Sequence, residues 1–521
     1  MYITTLSRFL VVGAMLVIAG CAGAPAQLQY AAASSAVIAA PPADAQARLR
    51  TCQQFFVELD RVVRRAKVTD SQAAPVPGFP YLRMDRFLHS FRDQAVAEPA
   101  FSAWVNRLQR LAEQGRQLEL ANLPADRVLA LQEMLSAALG EPRDLMETVR
   151  DCGAQLHRRD LADNARRERL RAAWVPSEYV TWKRGVGLYM FTSLPVNSVI
   201  KKWHEATHAT FAQPLESLAV HGELLRYVPP RLPIPLDSDG VRDILRRSAQ
   251  NPLGIPEPAG VDRQRLFATF APTWQIDVVS DDDRLGAPGW SSVADETPTI
   301  DVRYPTVYRQ LSHTRIAGKV LLQLNYVVWF PARPRTSRWD YLGGYVDGIS
   351  WRVTLSPDGT PLVFEAMHNC GCYHMFFPTP GLRLRPVANT PDDDLQEAAL
   401  VPQQAPALAP GSGPVLRIAH RTHYLQRVTI TALDNGRSVA YRWADYDSLR
   451  SLPLAPGGRR SLFRADGIVP GTTRGERWFL WPMGIPHPGQ MRQWGHHAIA
   501  FVGRRHFDDP YLLETTFQID D

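Results

Sequence analysis

The chain predicts an α+β fold: a helical N-terminal module followed by a mostly antiparallel, β-rich body of sandwich or barrel-like form. Three observations carry that reading. Between residues 47 and 171 apolar side chains recur at helical spacing, with Phe55, Phe56, Leu59, Val62 and Val63 in one stripe and Trp104, Leu108 and Leu111 in another. From about Arg265 onward the period changes to short runs rich in Val, Ile, Tyr, Phe and Trp, separated by Pro and Gly. With 521 residues, 45% of them hydrophobic and 21% charged, the chain is long enough for two or three cored domains.

Taken in order, Arg8 precedes the apolar run 9–18, which ends in Ile18-Ala19-Gly20-Cys21. These residues resemble the signal segment of bacterial lipoproteins, here residues 1–20. In that family the segment is cut before the cysteine, which then carries a diacylglycerol on its thiol and an acyl group on its new amino terminus. The resemblance therefore implies lipidation of Cys21. Ala22 stands where an inner-membrane retention signal would place Asp, which implies an outer-membrane address facing the periplasm. The run is too short to span a bilayer comfortably, whereas several acyl chains anchor firmly.

Residues 21–46 begin with that cysteine and are otherwise almost all Ala, Pro, Ser and Gln, a composition that reads as a flexible tether. The helical module follows over 47–171, with further helices expected at 124–139 and 142–171. Residues 172–264 show a mixed α/β pattern and form a connecting region, and 265–521 form the β-rich domain. Its best strand candidates are 274–279, 320–330, 427–430 and 498–502, with a hairpin of 351–355 and 361–366 closed by Ser356-Pro357-Asp358-Gly359-Thr360. A Pro-, Asp-, Gln- and Ala-rich segment near 379–414 reads as a long loop.

Charge and cysteines narrow the function classes. The formal net charge is +6, and arginine carries almost all of the positive charge, since the lysines are Lys67, Lys183, Lys201, Lys202 and Lys319 alone. That skew, with 42 prolines, reads mainly as genome composition, and basic charge spread in this way is also compatible with anionic lipid headgroups. No basic run interleaved with aromatics points to nucleic acid. In an oxidising compartment the cysteines left after Cys21 are expected to pair. Cys52 and Cys152 lie near opposite ends of the helical module, and antiparallel packing there predicts a disulfide between them.

Two stretches carry ligand-like residues. The hairpin leads into His368-Asn369-Cys370-Gly371-Cys372-Tyr373-His374. In an extended strand His368, Cys370, Cys372 and His374 share a face, but a rise of ~3.3 Å per residue sets the outer two about 20 Å apart. One ion is served only if the chain turns at Gly371 or a distant histidine contributes; the alternatives are a Cys370–Cys372 disulfide or two buried thiols. The second stretch, His204-Glu205-Ala206-Thr207-His208, sits in a segment that reads as helical over 196–212. Val196, Ile200, Trp203, Thr207 and Phe211 make its inner stripe. The pentapeptide resembles the signature of zinc metallopeptidases, which implies His204 and His208 as ligands and Glu205 as the base that activates a metal-bound water. The longer metzincin form is absent, because Phe211 and Pro214 occupy its Gly and His positions. In the gluzincin pattern a downstream glutamate completes the set, and Glu223 is the nearest candidate.

The chain contains no Gly-rich phosphate loop, no Gly-x-Ser-x-Gly elbow and no internal repeat. The leading expectation is an envelope lipoprotein acting as a periplasm-facing binding or structural component. Its partners would be the membrane, through its N-terminal anchor, and other envelope components. The alternatives are a zinc-dependent metallohydrolase built on His204, His208 and Glu205, and a transition-metal-binding protein built on the 368–374 motif. Zinc or another transition metal is the cofactor those two readings imply.

Overall fold

In the structure, a computed structural model that describes residues 43–139, 143–230, 235–386, 396–408, 413–433, 436–455 and 457–519, both expected stripes are buried. The lipobox, Cys21 and most of the tether lie outside the described residues. Helix Ala43–Ala66 takes in the last four positions assigned to the tether, and it packs on helices Ala125–Leu139 and Leu145–Leu161. Phe55, Phe56, Leu59 and Val63 from the first helix and Trp104 and Leu108 from helix Ala100–Asn122 meet in one apolar core. The Cys52–Cys152 disulfide is present, with Cα atoms 5.1 Å apart.

The single helix expected over 142–171 is two. The Asp163 carboxylate accepts from the Ala165 amide at 2.9 Å and caps a new helix, Asn164–Arg171, directly after Leu145–Leu161 ends. A hairpin that helical spacing did not signal, Ala74–Val76 with Phe79–Met84, turns at Gly78 (φ +83°) and packs on helix Ala100–Asn122.

The body is built on two sheets. Six strands run in the order Met375–Pro378, Pro361–His368, Gly344–Leu355, Lys319–Arg333, Thr306–Ile316 and Arg442–Asp445, antiparallel except for the last pair. Five more, in the order Leu425–Thr429, Val415–Ile418, Thr273–Val278, Glu223–Val228 and Arg437–Ala440, form a mixed sheet. Among the described residues neither closes into a barrel. Trp274 and Ile276 of the smaller sheet share a core with Leu324, Tyr326 and Val328 of the larger one. Because Glu223–Val228 is a strand of this body, the region 172–264 is part of the fold rather than only a connection.

The larger sheet is covered on its other face as well, by the C-terminal segments that supply Tyr446, Leu462, Phe463 and Met491. A strand buried on both faces needs no polar alternation, which is why 320–330 reads as a nearly unbroken apolar run. Its two polar exceptions are paired: Gln323 donates to the Thr354 hydroxyl at 3.1 Å, and Asn325 to the Ser312 hydroxyl at 2.8 Å. The hairpin closes as its turn residues demand, with Gly359 at φ +88°.

The expected strand at 498–502 does not form. Ala498, Ile499, Ala500 and Val502 are buried, but the amides find side-chain partners: Phe501 and Val502 donate to the Glu397 carboxylate, and Ala500 to the Tyr179 hydroxyl. Within the predicted loop near 379–414, Leu382–Leu384 pairs with Phe517–Ile519 and Leu400 is buried; residues 387–395 and 409–412 lie outside the described residues. Buried ion pairs join the helical module to the body, among them Asp70 with Arg450 at 2.6 Å and Arg86 with Asp508 at 2.8 Å.

Candidate functional site

The helix that carries the His-Glu-Ala-Thr-His stretch begins earlier than its spacing suggests, at Tyr189, and runs to Ala212. Its inner stripe is as expected at its C-terminal end, where Phe211 joins the body core and Trp203 packs against it. Toward its N-terminal end Val196 and Ile200 pack only in part, against Tyr189, Met483 and Val502, and together with Trp203 they also face open space. They form one wall of a cavity of about 800 Å³. The opposite walls come from the loop at 339–342, from Cys372, Tyr373 and His374, from segments 397–400 and 499–505, and from the short helix Arg477–Leu480.

Exposure along the lining separates mouth from floor. Val199, Trp339, Tyr341 and Phe479 are exposed and mark the mouth, whereas Cys372, His374 and Glu397 are buried. The floor is where the polar groups gather. Burial pushes the Glu476 carboxyl up to about 7 against the opposing pull of Arg474 and Arg333, so it changes charge near neutral pH. The rings of Tyr373 and Tyr424 stand 4.6 Å apart, and the Tyr424 hydroxyl accepts from Arg333 at 3.3 Å.

Behind these tyrosines lies a buried row of charge. Asp347 Oδ2 is 2.8 Å from His423 Nδ1, its Oδ1 is 3.6 Å from His368 Nδ1, and His423 Nε2 is 3.6 Å from Asp283 Oδ1. Burial disfavours charge on every member, yet the two carboxylates outweigh it and raise the His423 pKa. Burial likewise opposes the Asp347 charge, and the His368 and His423 imidazoles hold that carboxyl well below its usual range. Burial wins at His368 and keeps its pKa low. The His423 ring stacks on Phe330 at 3.9 Å, and the His368 ring meets Tyr373 at 4.9 Å and Tyr424 at 5.7 Å. The row therefore fixes the two tyrosines that face the cavity.

Backbone strain accumulates at the same place. Val346, Tyr373, Arg421 and His423 all take left-handed φ values, from 51° to 58°. For a β-branched residue such as Val346 this is an outlier, and strain of this kind persists only where surrounding structure holds it.

The structure treats the predicted ligands unevenly. The chain does turn at Gly371 (φ +92°), closing His368 N onto Cys372 O at 3.0 Å. Even so, His368 is directed to Asp347, and His374 Nε2 lies 3.1 Å from Glu365. Cys370 and Cys372 are buried free thiols, and Cys370 together with burial pushes the Cys372 thiol well up, leaving it a neutral wall group. His204 faces the cavity, where burial lowers its pKa to about 4; Glu205 and His208 are exposed. Glu223 is engaged by Arg437 at 3.0 Å. Among the described residues no group of three His, Cys, Asp or Glu side chains is placed to hold a metal ion.

Of the histidines in the C-terminal half, His423 reaches the site, while the His420 ring lies tilted against that of His221 at 4.5 Å and His496 pairs with Glu178 at 2.9 Å. Asp508 pairs with Arg86. Spacing did not reveal Asp347, although it lies inside the hairpin stretch already rich in candidate ligands. Nothing in the sequence singles out Glu476. Set beside family models, curated proteins and solved structures, the chain matches none of them.

Proposed function

We propose that this chain is an envelope lipoprotein, anchored through Cys21 and facing the periplasm, whose body binds an amphiphilic ligand made of an apolar chain and a polar head. The single observation that carries this reading is the cavity: about 800 Å³, with Val196, Ile200 and Phe501 among its walls and Glu476, Tyr373 and Tyr424 at its floor. A mostly apolar pocket of ~300–1,000 Å³ with a few convergent polar groups is the usual form of a small-molecule site. The apolar walls take the chain, and the floor supplies hydrogen bonds to the head. Near neutral pH the Glu476 carboxyl is protonated often enough to donate to a head-group oxygen. The neutral Cys372 thiol and the unpaired His204 favour binding over nucleophilic chemistry.

Titration of residues 41–521 with a naturally fluorescent long-chain fatty acid tests the reading, because the probe brightens on leaving water. Saturable binding is expected, and Ile200→Trp, which narrows the cavity at its wall, should weaken it at least ~10-fold through lost apolar burial while leaving the melting temperature close to that of the parent. Absence of saturable binding, or equal affinity in both proteins, would count against a ligand cavity.

A further inference from the structure

The face around the cavity mouth carries a second message. On helices Thr181–Val186 and Tyr189–Ala212 and the turn between them, Val186, Leu188, Met190, Phe191 and Leu194 point into solvent, with Met190 73% and Phe191 72% exposed. Scattered exposed apolar residues need no explanation, but a contiguous group does. Trp182, Trp339, Tyr345 and Trp478 extend it around the mouth, all of them more than half exposed. The pieces belong together: helix Thr181–Val186 packs on the turn Trp481–Met483 that follows Arg477–Leu480, and the Tyr341 and Phe479 rings meet at 5.0 Å.

The charge on this face is mainly basic, with Glu205 as the exposed acid of helix Tyr189–Ala212. Residues 179–204 contain Lys183, Lys201 and Lys202, three of the chain's five lysines, and no acidic residue; Arg184 in the same stretch is buried and donates to the Met483 and Gly503 carbonyls. Three of the exposed indoles carry a neighbouring cation over the ring: Lys183 at Trp182, Arg338 at Trp339 and Arg477 at Trp478, at 6.0, 4.9 and 4.7 Å. Two other nearby acids are turned inward. Asp340 accepts from the amides of Thr336, Leu342 and Gly343, and Glu476 belongs to the cavity floor.

From this surface we infer that the mouth of the cavity docks on an anionic lipid bilayer. Exposed Leu, Met and Phe enter the acyl boundary, Trp and Tyr sit at headgroup level, and the lysines and arginines meet lipid phosphates. No helix among the described residues is long and apolar enough to cross a membrane, and the contact proposed here lies along the interface. Docked in this way, the cavity opens toward lipid. An amphiphile passes between bilayer and cavity without its apolar chain crossing water. The inference rests on the outer surface, so it stands or falls independently of ligand binding inside.

Vesicle flotation of residues 41–521, the compact unit of the chain, tests it with no N-terminal anchor contributing; the protein is exported to an oxidising compartment so that Cys52 and Cys152 pair. The probes are phosphatidylcholine vesicles with and without about one-third phosphatidylglycerol, since anionic lipid adds roughly 1 kcal/mol per basic residue near the surface. Binding to the anionic vesicles should exceed that to the neutral ones by at least ~10-fold and weaken as salt is raised. Met190→Ser with Phe191→Asp should reduce it at least ~10-fold by removing apolar insertion; both side chains are exposed, so folding is unaffected. Lys201→Glu with Lys202→Glu should remove the preference for anionic lipid. No flotation of the parent, or equal flotation of the Met190/Phe191 variant, overturns the inference. So does a stable dimer in analytical ultracentrifugation that this variant abolishes, since a second copy would then cover the face.

Discussion

Glu476 offers the sharpest test of the cavity floor, because its environment has a thermodynamic consequence that needs no ligand. Its carboxyl moves from an ordinary 4.5 to about 7 in the folded protein, chiefly by burial. In the unfolded chain it releases its proton near 4.5, so between pH 4.5 and 7 the folded state holds more protons than the unfolded one. Stability therefore falls as pH rises through this window. The full penalty is ~3 kcal/mol, of which roughly 2.5 kcal/mol develops between pH 5 and pH 8. Glu476→Gln keeps the shape of the neutral acid and removes the titration. Urea unfolding of the parent and the variant, measured in parallel from pH 5 to pH 8, cancels every other titrating group in the difference. The variant should gain on the parent by roughly 2.5 kcal/mol across that range. If the difference stays flat to within about 0.5 kcal/mol, the carboxyl is well solvated and the floor described here is wrong.

Three further outcomes follow from buried groups. Asp347→Asn should lower the pKa of His423, which is raised by its two carboxylate partners; imidazole NMR titration reads this directly, and the stability His423 contributes below pH 6.5, lost as pH rises through its folded value, should shrink with it. Asp70→Ala removes the carboxylate shared by the buried Arg83 and Arg450, which keep Glu119 and Asp447 as partners, and should cost about 1.5–3 kcal/mol in urea unfolding. Replacing Cys52 and Cys152 together opens a loop with a sequence separation of 100. In the chain-entropy picture this should remove about 4.7 kcal/mol, and a variant as stable as the parent would show that the loop is already constrained in the unfolded chain.

The parts of the fold legible in the sequence are those whose pattern is set locally. The stripe from Phe55 to Val63 buries because helical spacing gathers it on one side, and the hairpin around Gly359 forms because its turn residues permit little else. Where non-local partners decide, the pattern misleads. Ile499 and Val502 look like strand residues, yet the amides of this stretch are satisfied by Glu397 and Tyr179, each roughly a hundred or more positions away in the chain. The helix Asn164–Arg171 is separated from its predecessor by a single capping side chain, a signal that spacing alone passes over.

The site was half legible for the same reason. Residues 340–377 announced themselves by crowding His and Cys together, and the structure does build its centre there, but not from those residues as metal ligands. It builds from Asp347, which holds His368 and His423 from opposite sides of a sequence gap of more than fifty residues. Such a cluster cannot form on relaxed strand geometry: Val346 must enter left-handed space to deliver Asp347, and Arg421 and His423 must do the same to deliver the imidazole. Each such residue costs on the order of 1–3 kcal/mol. A purely structural body would lose nothing by relaxing them, because the surrounding core already supplies the apolar burial. That the strained positions coincide with the tyrosines at the cavity floor ties the distortion to the cavity, and it makes Tyr373, itself left-handed, the residue where fold and proposed binding site meet.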